Sequence, residues 1–360
     1  MCDNSIIGVF TKQPKLFFGT MNRQPSIPTL EDVARAAGVS TATVSRCLNE
    51  KEKVSKSTLS KVMEAVENLG YTPNFNARAM AARRSNTIGA IIPTMENAIF
   101  ARGIQAFQVA LHEKGYNLLV SSNVYRPELE TELIKSLVSR GADGLLLIGH
   151  SRDSETYQYL ERRGIPSVLA WSMQPGQTHT CVGFDNRASM HPLADKVIEL
   201  GHRHIGVISG IVEGNDRAQS RLEAIKDSMT AHGLTVDPDM IIETFYDLDN
   251  GSIAFEQLMQ KVPTPTAVMC GNDVLAAGAI AKAREMGIKV PEDVSITGFD
   301  DIELAKHVYP ALTTVHVPHR EMGRRAADLL VDLIEDRGSA SIIQLDTEVV
   351  MRDSLSPPKT

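Results

Sequence analysis

The sequence predicts two kinds of structure in one chain: a small all-α module at residues 26–72, and a much larger α/β core of two subdomains at residues 87–353. Two helix-start signals flank a glycine turn between Thr29 and Asn49. From Thr87 onward the pattern changes to short apolar runs alternating with amphipathic stretches, as in a parallel sheet covered by helices. At 360 residues and 42% hydrophobic content, the chain can bury more than one core.

In the N-terminal module, Thr29 followed by Asp32 is the pattern of a capping box, and Ser40 is placed to cap the next helix through its hydroxyl. Between them Ala37-Gly38 lets the chain reverse within a few residues. Val33, Ala36, Val39, Val44 and Leu48 fall at helical spacing and form a small core that needs a third helix as cover. That helix follows: Ser55 caps it, Leu59, Val62, Val66 and Leu69 recur at steps of three and four, and Gly70 ends it. Two short helices, a tight turn and a covering helix read as a helix-turn-helix, whose second helix enters the major groove of DNA. Thr41, Ala42 and Arg46 are its candidates for base edges: a hydroxyl for a base or phosphate, a methyl for thymine, a guanidinium for guanine O6 and N7. Thr43 and Ser45 are placed for phosphates, and Thr29, Ser40 and Asn49 complete the interface. On these features alone, a solvated three-helix module competes with the DNA-binding one.

Residues 74–86, Asn-Phe-Asn-Ala-Arg-Ala-Met-Ala-Ala-Arg-Arg-Ser-Asn, are helix-capable but carry no large apolar stripe, so they pack poorly as a lone helix. With Val-Ser-Thr-Ala-Thr-Val-Ser-Arg at 39–46, Gly-Tyr-Thr-Pro-Asn at 70–74 and Ala-Arg-Ala-Met at 77–80, the chain resembles the lac repressor (LacI/GalR) family from Thr29 to about Asp353. The resemblance implies a hinge helix at 73–86 that enters the minor groove beside that of a second subunit and wedges an apolar side chain into a central base step. Family members usually place leucine there. This chain has Met80, which is apolar but flexible and specifies a kink less sharply. Asn74, Ala77 and Arg78 belong to the same implied contact, and Arg78, Arg83 and Arg84 are placed to neutralise phosphates. A solvated basic linker is the plainer alternative.

In the core, Ile88–Pro93, Asn117–Ser121, Gly144–Ile148 and Ser167–Ala170 read as buried parallel strands, with helices near 99–114, 127–140 and 153–163. A second set comprises Ile205–Ser209, Met240–Thr244, Ala267–Cys270 and Val294–Gly298, with helices near 187–200, 217–232, 250–261 and 273–286. Two Rossmann-like halves result. The resemblance implies a periplasmic-binding-protein-like core with a ligand cleft between subdomains at 87–182 with 316–338 and at 183–315 with 339–353, joined by three crossovers.

Ligands of open parallel sheets bind beyond the carboxyl ends of the strands. Loops there carry Asn97, Phe100, Trp171, Asp185, Arg217, Arg221, Asn272, Asp273 and Asp300. By match to the family motifs, Phe100 and Trp171 stack on an apolar ligand face, Arg221 reaches hydroxyls or a carboxylate, and Asn272 and Asp300 bind hydroxyls. Singly each has an ordinary explanation: Asp273 and Asp300 as helix caps, Arg217 as a surface charge, Trp171 as core filler. Together they suit a polyol. Ala170 stands where many members place an aspartate, and Val317 where the lac repressor has glutamine, which argues against a lactose-like sugar. Arg217 beside Arg221 adds weight to an anionic group, because guanidinium forks match carboxylates bidentately. The expected effector is a sugar or sugar acid, with a gluconate-like acid favoured.

The net charge of −7 is unevenly spread: residues 26–86 carry nine Lys and Arg against six Asp and Glu, and residues 87–360 carry 25 against 37. Basic charge sits where DNA would lie, and an acidic body repels nucleic acid elsewhere. Cysteines at 2, 47, 181 and 270 show neither a metal-ligand spacing nor a disulfide framework; Cys47 and Cys270 lie in apolar patterns. His202 and His204 follow a helix end at Leu200-Gly201 and find no third ligand at suitable spacing. No cofactor is expected, and no Walker loop, nucleophile elbow or His-Glu-x-x-His motif points to an enzyme. With no secretory signal and no long apolar run, a cytoplasmic protein without membrane contact is expected. Residues 1–25 read as a disordered extension or a mis-called start, with Met21 as the alternative initiator, and 354–360 as a tail without heptads. So few base-reading residues specify only a short half-site, so a homodimer on palindromic operator DNA is expected. A sugar sensor without gene control and a sugar-phosphate enzyme are the competing functions; the latter needs a base and an acid flanking the cleft.

Overall fold

The computed structural model describes residues 28–72, 84–176 and 178–359. The expectations for residues 1–25 and for Asn74, Ala77, Arg78, Met80 and Arg83 lie outside the described residues. The chain divides into two compact units, a helical module and a core.

Helix Leu30–Ala37 opens on the reciprocal capping box: the Thr29 amide donates to the Asp32 carboxylate at 2.9 Å, and the Asp32 amide donates to the Thr29 hydroxyl at 3.3 Å. Gly38 turns the chain at φ 67°, a left-handed conformation that costs glycine little. Helix Thr41–Asn49 starts on the Ser40 hydroxyl, which accepts from the Thr43 amide at 3.2 Å, and helix Lys56–Leu69 starts on Ser55. Val33, Ala34, Val44, Cys47, Val62, Ala65 and Tyr71 form the core of the module. Ala36, expected inside, is exposed. The buried face of the first helix runs through Leu30, Val33, Ala34 and Ala37, the i, i+3, i+4, i+7 stripe, and Ala36 lies off it.

The strands of the core are β1 Thr87–Ile92, β2 Asn117–Ser122, β3 Gly144–Ile148, β4 Ser167–Ala170, β5 Cys181–Gly183, β6 Ile205–Gly210, β7 Ile241–Thr244, β8 Ala267–Cys270, β9 Ser295–Thr297, β10 Thr314–His316, β11 Ile342–Gln344 and β12 Glu348–Val350. They build a six-stranded sheet in the order β11-β5-β4-β3-β1-β2 and a four-stranded sheet in the order β7-β6-β8-β9. Every pairing within these two sheets is parallel. β1, β3 and β6 are buried along their whole length, which is why they read as unbroken apolar runs rather than alternating ones. Helix His319–Ile334 packs against β3, β4 and β5 and against helix Ala98–Glu113. β10 and β12 form an antiparallel pair beside the second sheet, and bridges at Thr297–Thr313 and Asp300–His316 join β10 to it.

Three expectations change here. Residues 342–344, assigned from the sequence to the second subdomain, form β11 and pair with β5 at the edge of the first sheet. The expected 354–360 tail is packed at its start: Ser354 is fully buried, its hydroxyl donates to the Ile296 carbonyl at 2.6 Å, and it accepts from the Thr313 amide at 2.9 Å. His202 helps hold this segment, with Nε2 2.8 Å from the Ser356 carbonyl and Nδ1 2.9 Å from the Thr266 hydroxyl. Arg84, assigned to DNA phosphates, donates instead to the Ile334 carbonyl at 2.8 Å. No helix among the described residues is long and apolar enough to cross a membrane.

Candidate functional site

A cavity lies between the two subdomains of the core, at the carboxyl ends of both parallel sheets. The first subdomain contributes Asn97, Phe100, Tyr125 and Trp171; the second contributes Asn215, Arg217, Arg221, Tyr246, Asn272 and Asp300, with Phe184 and Asn186 from the crossover between them. Tyr125, Trp171 and Asp300 hold φ values of 56°, 62° and 105°. Non-glycine residues in that region carry strain of order 1–3 kcal/mol each, and here they gather at one site.

The aromatic wall is held from behind. Phe100 and Trp171 meet with ring centroids 5.7 Å apart. The Trp171 indole donates to His319 Nδ1 at 3.1 Å, and His319 Nε2 donates to the Asp300 carbonyl at 3.2 Å. This pattern needs a neutral imidazole, and burial pushes the His319 pKa down to about 4, so the ring is neutral at pH 7. Gly103 leaves the space that Trp171 fills; a Cβ there would overlap the indole.

The polar wall is built on helix starts. Asn272 caps helix Asp273–Glu285 by accepting from the Leu275 amide at 2.9 Å, and Asn215 caps helix Asp216–Ala231 by accepting from the Ala218 amide at 3.3 Å. Arg221 donates to the Asn186 side-chain oxygen at 2.7 Å and to the Tyr246 hydroxyl at 3.0 Å, and its guanidinium lies 4.7 Å from the centre of the Phe299 ring. Its Nε, and the Nδ2 of Asn97 on the opposite wall, are buried without a partner among the described residues. Burial pushes the Asp300 carboxyl up to about 7, with Arg221 and Arg217 pulling the other way. Burial also raises Asp273 well above the ordinary carboxylate range, and Asp300 adds to the shift.

Two residues assigned to the ligand from the sequence do not line the cavity. Asp185 caps helix Asn186–Glu199, accepting from the amides of Arg187 and Ala188 at 2.9 and 3.0 Å. Asp273 lies behind the wall, where the Thr314 hydroxyl donates to it at 2.6 Å and the Ile302 amide at 2.8 Å. The argument from paired arginines also weakens: both guanidinium groups line the cavity, but Arg217 donates to Asp216 at 2.8 Å and its charge is already paired.

On the helical module, Thr41, Ala42, Ser45, Arg46 and Asn49 share one face of their helix, opposite the buried Val44 and Cys47. Thr41, Ala42, Arg46 and Asn49 are exposed. Ser45 accepts from the Asn49 amide group at 3.4 Å, Thr43 and Ser40 pair their hydroxyls at 2.9 Å, and Thr29 is held in its capping box.

Residues 29–74 match the model of the lacI family of bacterial regulatory proteins, and residues 194–355 match a periplasmic binding protein-like domain. The HTH-type transcriptional repressor PurR of Vibrio atlanticus is 33% identical over 91% of this chain and 98% of its own length. The chain belongs to the lacI family. A LacI-family transcriptional regulator from Silicibacter pomeroyi aligns with a TM-score of 0.83 and 27% identity, over 91% of this chain and 99% of that one. The lac repressor dimer bound to operator and the anti-inducer ONPF aligns with a TM-score of 0.79 and 25% identity, over 91% and 98%.

A lacI-family regulator is a DNA-binding transcriptional repressor under the control of a small-molecule effector, and its relatives here are regulators rather than enzymes. Sequence reasoning missed Tyr125, Tyr246, Phe184, Asn186, Asn215 and His319. Tyr125 and Tyr246 were within reach, three and two residues past the ends of β2 and β7, where the strand-end rule directs attention.

Proposed function

We propose that the exposed face of helix Thr41–Asn49 reads one half-site of a palindromic operator as part of a homodimer, and that the inter-subdomain cavity takes a monosaccharide-sized polyhydroxy acid, gluconate-like in size and charge. The pair of buried, unpartnered donors on opposite walls, Arg221 Nε and Asn97 Nδ2, carries the ligand reading. Buried donors without acceptors are costly, and a ligand rich in oxygen supplies acceptors to both. Phe100 and Trp171 supply a face for its C–H groups, and Asp300 accepts from hydroxyls.

A neutral polyol is the second reading, favoured by the pairing of Arg217 with Asp216 and by Asp300 beside Arg221, which together leave the wall close to electroneutral. Calorimetric titration of the full chain with aldonates, uronates and neutral sugars tests both. Binding by an aldonate with little response to neutral sugars supports the acid; tight binding confined to neutral sugars overturns it. For the helical module, Arg46 is assigned to a base edge and Thr41 and Ala42 to its neighbours. Two subunits then hold two such helices at fixed spacing, and ligand-driven rotation between subdomains alters that spacing.

A further inference from the structure

One carboxylate behind the cavity links the two subdomains. Asp216 opens the helix of the second subdomain that carries Arg217 and Arg221, yet it faces the loop that follows β3 in the first. Its oxygens accept from Arg217 Nη1 at 2.8 Å and from the His150 backbone N–H at 2.7 Å, and the His150 imidazole Nδ1 lies 2.6 Å from the carboxylate. The Ser172 hydroxyl lies 2.9 Å from the same imidazole nitrogen. Gly149 makes the approach possible: at φ 75° it accepts a left-handed turn, and any Cβ there would collide with both Arg217 and Asp216.

The loop that presents His150 is braced by buried side chains. Arg152, almost fully buried, donates to the carbonyls of Ile148 and Gly149 at 3.2 and 2.9 Å and grips both carboxylate oxygens of Glu130 at 3.1 and 3.3 Å. A fixed N–H and a fixed imidazole therefore await Asp216 across the cleft.

The geometry points to Asp216 as a positioning residue and latch: it holds the Arg217 guanidinium at the cavity wall and, through His150, ties the two subdomains shut. Burial works against its ionisation, but Arg217 and the His150 bonds outweigh it and hold the carboxyl well below the ordinary range. Opening the cleft removes the His150 N–H and parts the imidazole from the carboxylate. Closing it replaces water around the carboxylate with protein donors that are already oriented. Asp216 does not itself line the cavity, so the latch acts on closure and on the placement of Arg217 rather than by touching the ligand. The inference rests on this cavity being the effector site.

Trp171 is the only tryptophan in the chain, is 2% exposed, and lies on the cavity wall, so its fluorescence reports closure. Acrylamide quenching of the full chain, with no effector added, tests the latch whether or not a sugar acid binds. Asp216→Ala is expected to raise the quenching constant about threefold with the far-UV circular dichroism unchanged, because the open form becomes populated. His150→Ala keeps the backbone N–H and gives a smaller rise; it also serves as the test if Asp216→Ala does not fold. Folded variants that quench like the unmodified chain overturn the latch.

Discussion

The wall that the first subdomain gives to the cavity consists of Asn97, Phe100, Tyr125 and Trp171 and carries no formal charge, whereas the second subdomain brings Arg217, Arg221, Asn215, Asn272 and Asp300. Most of the stacking surface thus resides on one body and the charged hydrogen-bonding surface on the other. A ligand with an apolar face and a polar edge satisfies neither wall alone, so full recognition requires the two subdomains to meet. Binding and closure become one event, which is what a ligand-controlled repressor needs if occupancy is to change its shape.

The polar wall breaks hardest at Arg221. Arg221→Ala removes the charge that most lowers the Asp300 carboxyl, the donors to Asn186 and Tyr246 and the unpartnered Nε, and hydrogen bonds from charged groups contribute about 1.5–3 kcal/mol each. Calorimetry is expected to show effector affinity falling by more than about a hundredfold, while binding of operator DNA by the effector-free protein persists. On the aromatic side, His319 is the support to remove. Its pKa is depressed from 6.5 to about 4, so the unfolded chain binds a proton that the folded one refuses as pH falls through that window. It contributes stability above pH 6.5 that is lost progressively toward pH 4, about 3 kcal/mol in all. His319→Asn is expected to flatten that part of the profile in chemical denaturation run from pH 7 to pH 4.

Asp300 sharpens the comparison by telling the two ligand classes apart. As pH rises through about 7 its carboxyl ionises. An acidic effector then meets a like charge and binds more weakly, whereas a neutral polyol gains a better acceptor for its hydroxyls and binds more tightly. Titrations at pH 6 and pH 8 give opposite signs for the two classes.

The helical module offers the smaller effects. Arg46→Ala is expected to cost ~1–3 kcal/mol at one base position and to leave effector affinity intact; unchanged affinity across operator variants in a gel-shift series would remove Arg46 from the base-reading set. Ser40→Ala removes the hydroxyl that accepts from the Thr43 amide and is expected to cost about 1 kcal/mol in thermal unfolding of the module.

The module was the most legible part of the sequence because its determinants are local. Thr29 and Asp32, Ser40 and Thr43, and Gly38 are near neighbours in the chain, so spacing alone reveals the caps and the turn. Long buried strands such as β1, β3 and β6 were legible for a related reason, since burial on both faces leaves an apolar run. The three-residue strand β11 was not: its partner β5 lies some 160 residues earlier, and Ile-Ile-Gln is too short for any periodicity to show. In the cavity, the sequence identified Phe100, Trp171, Arg221, Asn272 and Asp300 through motif positions, but it could not separate a carboxylate that faces the ligand from one that caps a helix. Asp185 and Asp273 share the strand-end setting of Asp300 and differ only in which backbone amides and hydroxyls reach them. The Asp216–Arg217 pair was hidden for the opposite reason, because adjacent residues in a helical start read as separate surface charges until Gly149 and His150 enclose them.

The central claim, that the cavity controls the DNA-reading face, is tested most directly by footprinting the DNA upstream of the protein's own gene with and without gluconate and the other sugar acids and sugars of the calorimetric panel. A protected two-fold symmetric site whose occupancy changes with a ligand that binds the unmodified chain, and does not change in Arg221→Ala, is the predicted result. Protection that is indifferent to every ligand shown by calorimetry to bind the cavity would contradict it.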